Sequence, residues 1–171
     1  MGIMPSSFDI VTESPASVEQ IHAAYRRKDY WLARIEPGPA LTTLDSLIVE
    51  DDGTVKVHFT QHLGRQLLPG PVGKLVPTEL QMMNSETWRP AGDGHFRGHV
   101  RVSTSPKLGS GHVDAWLEPL SGGSQLRCAL KVQVKIPLLG GRLEKSIGHS
   151  LTTNGIPEMQ RFTADWIAEN A

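Results

Sequence analysis

The sequence predicts an α+β domain with an antiparallel sheet of about seven strands, two short helices after the first strand, and one long helix at the C-terminus. Three observations carry that expectation. From about residue 40 to residue 134, apolar and polar residues alternate with period two, and a turn signal recurs roughly every 10 to 20 residues, as in successive antiparallel hairpins. Leu143, Ile147, Leu151, Met159, Phe162 and Trp166 then follow helical spacing. The 171 residues include 17 Gly and 12 Pro, an excess that suits many tight turns between short strands.

The first element, Ser6 to Glu13, alternates with Phe8, Ile10 and Thr12 on one face and reads as a strand that Ser14, Pro15 and Ser17 end. Ser17 followed by Gln20 is a capping-box spacing, and Val18, Ile21, Ala24 and Tyr25 supply the apolar stripe of a short helix over about residues 17 to 26. Asp29 to Ile35 forms the second short helix, stopped by Pro37-Gly38-Pro39. Asp51-Asp52-Gly53 closes a hairpin. With Gly53 in the left-handed region, a three-residue loop sets Leu47 and Val49 against Val57 and Val55. Leu67 to Pro77 holds too much Gly and Pro for a strand and is expected as a structured loop with one helical turn.

At Pro90 to Gly94, pairing Arg89 with His95 places Trp88 beside Phe96 and Met82 beside Val102. At Ser121 to Ser124, a Gly122-Gly123 loop sets Leu117 opposite Cys128, Ala115 opposite Leu130 and Val113 opposite Val132. The other face then pairs Glu118 with Arg127 and Asp114 with Lys131, each worth roughly 0.2 to 1 kcal/mol. About 28 residues at the end make a helix of roughly 42 Å. Asn154-Gly155-Ile156-Pro157 should kink it, because Pro157 lacks a donor and crowds the preceding turn.

Composition sets the outer bounds of function. The length suits one domain over residues 1–171, and a hydrophobic fraction of 39% is ordinary for a globular protein. A net charge of -1 gives no field for holding phosphate backbones, so nucleic acid is not an expected partner. A single Cys excludes an internal disulfide framework and fits a reducing cytosol. The start MGIMPSSFDI has neither the basic nor the long apolar region of a signal peptide, and no apolar run reaches membrane-spanning length, so a cytoplasmic location is expected. The sequence is compatible with a monomer or a dimer.

The order of elements resembles the START-like superfamily, also called SRPBCC or birch-pollen-allergen-like. The resemblance is carried by Asp29-Tyr30-Trp31 with Arg34, the Asp52-Gly53 hairpin, Leu68-Pro69, Glu86 with Trp88, and Ile136-Pro137-Leu138-Leu139-Gly140-Gly141 to Glu144. Within that superfamily the chain is similar to a bacterial family known only as a domain of unknown function. The resemblance implies a helix-grip fold, a curved sheet wrapped around the long helix. It also implies an apolar cavity between them that in relatives holds lipids, sterols, polyketides or hormones. It implies no particular ligand and transfers no catalytic residue.

Strand parity points Phe59, Met82, Trp88, Phe96, Val100, Ala115, Leu117 and Leu130 inward, facing Leu143, Ile147 and Leu151 of the last helix. Such a set either fills a core or lines a pocket. Tyr30 and Trp31 are expected to plug one end of the sheet, with the Tyr30 hydroxyl available to a bound molecule. Asn84 and Glu86 break the apolar pattern. A carboxylate on an apolar wall needs a partner, water or a proton, which leaves two readings. Glu86 is either a polar anchor or general acid/base, with Asn84 orienting the ligand, or the ion-pair partner of Arg34.

Of the seven His, His58 and His62, like His95 and His99, are four apart on one strand. That spacing is about 13 Å, too long for one zinc ion, so no metal site and no cofactor are expected. Cys128 reads as a small buried hydrophobe. The leading functional expectation is binding of a small apolar or amphipathic molecule. The alternatives are a polyketide cyclase or dehydratase-like enzyme with Glu86 as acid/base, and a partner-binding protein with a filled core.

Overall fold

Period-two segments become strands because alternation lets each bury one face while the other meets water. In the computed structural model of the protein, which describes residues 5 to 171, this produces seven antiparallel strands. The N-terminal start read above as lacking a signal peptide lies, for residues 1 to 4, outside the described residues. The strands are β1 (Ser6–Ser14), β2 (Leu41–Val49), β3 (Val55–Gly64), β4 (Glu79–Pro90), β5 (Phe96–Ser105), β6 (Gly109–Leu120) and β7 (Gly123–Val134). Their spatial order is β1-β7-β6-β5-β4-β3-β2, so every neighbour is a hairpin partner except β1, which pairs with the last strand.

Helices α1 (Val18–Tyr25) and α2 (Lys28–Ile35) join β1 to β2. The capping box at Ser17 and Gln20 is formed, each side chain accepting from the other residue's backbone N–H at 3.1 and 2.9 Å. Between β3 and β4 a 3-10 turn over Arg65–Leu67 leads into the Pro- and Gly-rich segment, which contains the helical turn α3 (Gly70–Gly73). The C-terminal helix comes in two pieces, α4 (Gly140–Ser150) and α5 (Ile156–Asn170), joined by a π-turn over Leu151–Gly155. The irregularity falls where Pro157 removes a donor, as expected. Glu144 anchors α4. Its buried carboxylate accepts from the Ser6 hydroxyl at 2.6 Å and from the Val134 backbone N–H at 2.8 Å.

Two hairpin registers differ from those expected. The β4–β5 loop is Gly92-Asp93-Gly94, three successive residues at positive φ, closed by Ala91 donating to the His95 carbonyl at 2.9 Å. Trp88 therefore opposes Gly98 and Met82 opposes Thr104, in place of Phe96 and Val102. The indole needs that glycine, since a Cβ on Gly98 would lie 2.6 Å from the ring. The β6–β7 loop is Ser121-Gly122, with Gly122 at φ +83°, and Gly123 belongs to the strand. A Cβ on Gly123 would overlap the Ser14 carbonyl, so its smallness serves the approach of β1. Leu117 then faces Leu126, Ala115 faces Cys128 and Val113 faces Leu130.

Both slips are of two residues, so every inward residue stays inward. Arg127 still reaches Glu118 at 3.3 Å, whereas Asp114 opposes Ala129 in place of Lys131. The β2–β3 hairpin has the expected register, Leu47 with Val57 and Val49 with Val55, with Gly53 at φ +93°. Among the described residues no helix is long and apolar enough to cross a membrane.

The main core lies where α1 and α2 cover one end of the sheet. Tyr25, Tyr30, Trp31 and Trp88 pack there with ring centroids 5.2 to 5.5 Å apart between successive neighbours. A second, smaller cluster of Val72, Val132, Val134 and Ile136 lies at the opposite end, under α4.

Candidate functional site

Between these packed ends, α5 touches the sheet at β1 but stands off its middle strands, and a cavity of about 540 Å³ remains. The sheet contributes an apolar floor of Phe59, Trp88, Val100, Val102, Val113, Ala115, Leu126, Cys128 and Leu130. Leu151, Ile156, Met159 and Phe162 from the π-turn and α5 form the roof. Arg34, Ile35 and Pro37 at the end of α2, with Thr42 of β2 and Glu158 of α5, complete the wall. Pro37 and Glu158 are exposed, which places the mouth between the α2–β2 connection and the start of α5.

Polar groups enter this space at two points. Arg34 Nη2 donates to Glu86 Oε2 at 3.0 Å, and Nη1 faces Oε1 at 3.4 Å. The side chains are only 14% and 4% exposed. Trp88 Nε1 donates to Glu86 Oε1 at 3.1 Å, Met159 Sδ accepts from Arg34, and the guanidinium lies 4.6 Å from the centre of a Trp31 ring. Burial works against the charged guanidinium, but the Glu86 carboxylate outweighs it and Arg34 titrates above its ordinary value. The second point is Asn84, whose Nδ2 donates to Gln61 Oε1 at 3.3 Å and to the Met82 carbonyl at 3.1 Å. Of the two readings of Glu86, the pairing with Arg34 is formed. Burial, and then the Glu86 charge, push the nearby Cys128 thiol up to about 12.

The cavity brings together Phe59, Asn84, Glu86, Trp88, Val100, Ala115, Leu130 and Leu151 from the expected set. The other expected residues lie elsewhere. Tyr30 and Trp31 are fully buried in the aromatic end, where the Tyr30 hydroxyl meets Thr163 Oγ1 at 2.7 Å and is held away from the cavity lining. Phe96 stacks on His22 at 4.4 Å, and Leu117 is core. Met82 is half-buried outside the lining, Leu143 packs on the second cluster, and Ile147 is 41% exposed.

Parity could have found Gln61, which shares a face with Val57 and Phe59. Thr42 was hidden by the register shift between Leu44 and Ser46, which reverses the facing of β2. Ile35, Pro37 and Glu158 line the cavity only because of how α2 and α5 dock, which no local pattern encodes.

The convex face carries the strand histidines His58, His62, His99 and His112. His58 is exposed and His62 pairs with Glu79 at 3.2 Å. His99 Nδ1 lies 2.8 Å from Asp114 Oδ1, and His112 Nε2 lies 3.4 Å from the same oxygen. Spacing along single strands missed this group because it forms across two strands. Burial alone would raise the Asp114 pKa, but hydrogen bonds with His112 and His99 more than offset it and hold it below the usual carboxylate range.

A family model described as protein of unknown function (DUF2505) matches residues 9–167. The chain belongs to the DUF2505 family. This DUF2505 protein is 37% identical, over 98% of its length and 99% of theirs, to uncharacterised proteins of Mycobacterium tuberculosis and Mycobacterium bovis. Solved structures show the fold. A Thermus thermophilus protein superposes with a TM-score of 0.57 at 12% identity, covering 97% of this chain and 99% of that one. A START superfamily protein from Mycobacterium smegmatis gives 0.54 at 12% identity, with 96% and 99% covered. Ara h 8.0201 gives 0.55 at 12% identity, with 96% and 98% covered. The DUF2505 chain has the START-like, helix-grip fold.

Proposed function

We propose that this DUF2505 protein binds a small, mostly apolar molecule between the concave face of its sheet and α5, as a single START-like domain in the cytoplasm. The observation that carries the reading is a cavity of about 540 Å³ that combines an apolar floor and roof with two localised polar points. Its volume falls within the range of ordinary small-molecule sites, roughly 300 to 1,000 Å³. Burial of the ligand's apolar body supplies the affinity, at about 25 cal/mol per Å². The Asn84–Gln61 amides and the Arg34–Glu86 pair give a polar end something to meet, so an amphipathic molecule fits better than a pure hydrocarbon. An acid/base role for Glu86 has less support, because both of its oxygens are already engaged by Arg34 and Trp88.

The test is titration of the purified chain with 8-anilinonaphthalene-1-sulfonate, run beside Val113→Phe, which projects a ring into the cavity. Saturable fluorescence enhancement that Val113→Phe reduces about tenfold or more supports the reading. Equal binding by both proteins, or none by the wild type, overturns it.

A further inference from the structure

On the convex face, away from the cavity, the β5–β6 register sets His99 directly opposite Asp114, with His112 two residues before Asp114 on the same face. We propose that His99 Nδ1, His112 Nε2 and Asp114 Oδ1 form a binding site for a divalent transition-metal ion of the zinc type, with water completing the coordination. The three donor atoms lie within 4.8 Å of one another. Bonds of about 2.0 to 2.2 Å in tetrahedral geometry place ligand atoms roughly 3.3 Å apart. The edges of 2.8 Å and 3.4 Å to Asp114 Oδ1 bracket that value, and side-chain rotation sets the His99–His112 edge, already within 4.8 Å, to admit an ion.

The backbone ladder positions all three residues, and paired strands hold such groups more firmly than a loop does. Each side chain is a little over a third exposed, at 38%, 36% and 37%, so an ion and its waters can reach the donors. Two imidazoles with one carboxylate select borderline ions over calcium or magnesium, which favour all-oxygen shells. Arg101 and Lys131 hold the register positions on either side of His112. Their charge opposes ions held by electrostatics alone and sharpens the preference for nitrogen-directed bonding. To ligate through Nδ1, His99 keeps its ring proton on Nε2, a tautomer open to neutral imidazole.

The experiment is calorimetric titration of tag-free, chelator-treated full-length protein with ZnCl₂, together with Co²⁺ titration followed by visible absorption. One saturable equivalent is expected for the wild type. His99→Ala, His112→Ala and the near-isosteric Asp114→Asn should each weaken binding about tenfold or more, while His58→Ala leaves it unchanged. Metal-free thermal unfolding of each variant separates ligand loss from misfolding, and the wild-type Tm should rise with added zinc. No saturable equivalent, or undiminished binding in folded His99→Ala and His112→Ala, overturns the proposal.

Discussion

Arg34 and Glu86 show how one buried contact serves both stability and the site. Their side chains are nearly excluded from water, so each depends on the other to offset its lost hydration. Arg34→Met leaves the Glu86 carboxylate uncompensated and is expected to cost about 3 to 5 kcal/mol in urea unfolding. Adding Glu86→Gln removes the stranded charge and keeps an acceptor for Trp88 Nε1, so the double variant should recover most of that loss. Cys128 offers a second test. With its pKa moved from 9.0 to about 12, the thiolate fraction at pH 8 falls roughly a thousandfold, and modification by Ellman's reagent should slow by about that factor relative to the unfolded chain. Because the folded state holds the proton more tightly, the associated stability is full below pH 9 and is lost as pH rises towards about 12.

In the C-terminal helix, two glycines of α4 face opposite demands. Gly148 packs directly on Phe8 of β1, and a Cβ there would overlap the ring. Gly148→Ala is therefore expected to destabilise by about 1 to 3 kcal/mol. Gly141, near the start of the same helix, has nothing within 4 Å of an added methyl and no positive φ. Gly141→Ala should stabilise by about 0.4 to 1 kcal/mol by restricting the unfolded chain, and thermal unfolding of the pair checks both signs. The π-turn at Leu151–Gly155 lets α4 follow β1 and β7 while α5 continues as the cavity roof, contributing Leu151 and Gly155 to the lining.

Across the molecule, packing is uneven: aromatic rings fill one end, valines and Ile136 fill the other, and the middle is open. Space that serves a ligand is space that forfeits contacts in its absence. Val113→Phe should therefore raise stability by about 0.5 to 2 kcal/mol in urea unfolding while weakening probe binding, the trade between stability and function expected of an open site. A loss of stability would mean that the surrounding wall cannot accommodate the ring.

Most of the architecture was legible because its signals are local. Alternation gave the strands, Ser17 and Gln20 gave α1, Gly53 gave a hairpin register, and Pro157 marked the interruption of the last helix. Parity placed Glu86 and Asn84 on the inner face, and a carboxylate there required a partner such as Arg34. Other features depended on atoms brought from distant positions. Gly123 reads as a turn residue until the Ser14 carbonyl is placed against it, and Gly98 acquires its meaning from Trp88. His99, His112 and Asp114 become neighbours only through the β5–β6 ladder. Whether an apolar face is filled or left open depends on the distance at which α5 docks over the sheet. That distance reflects the summed volumes of side chains from many elements, a quantity that no single segment of the chain contains.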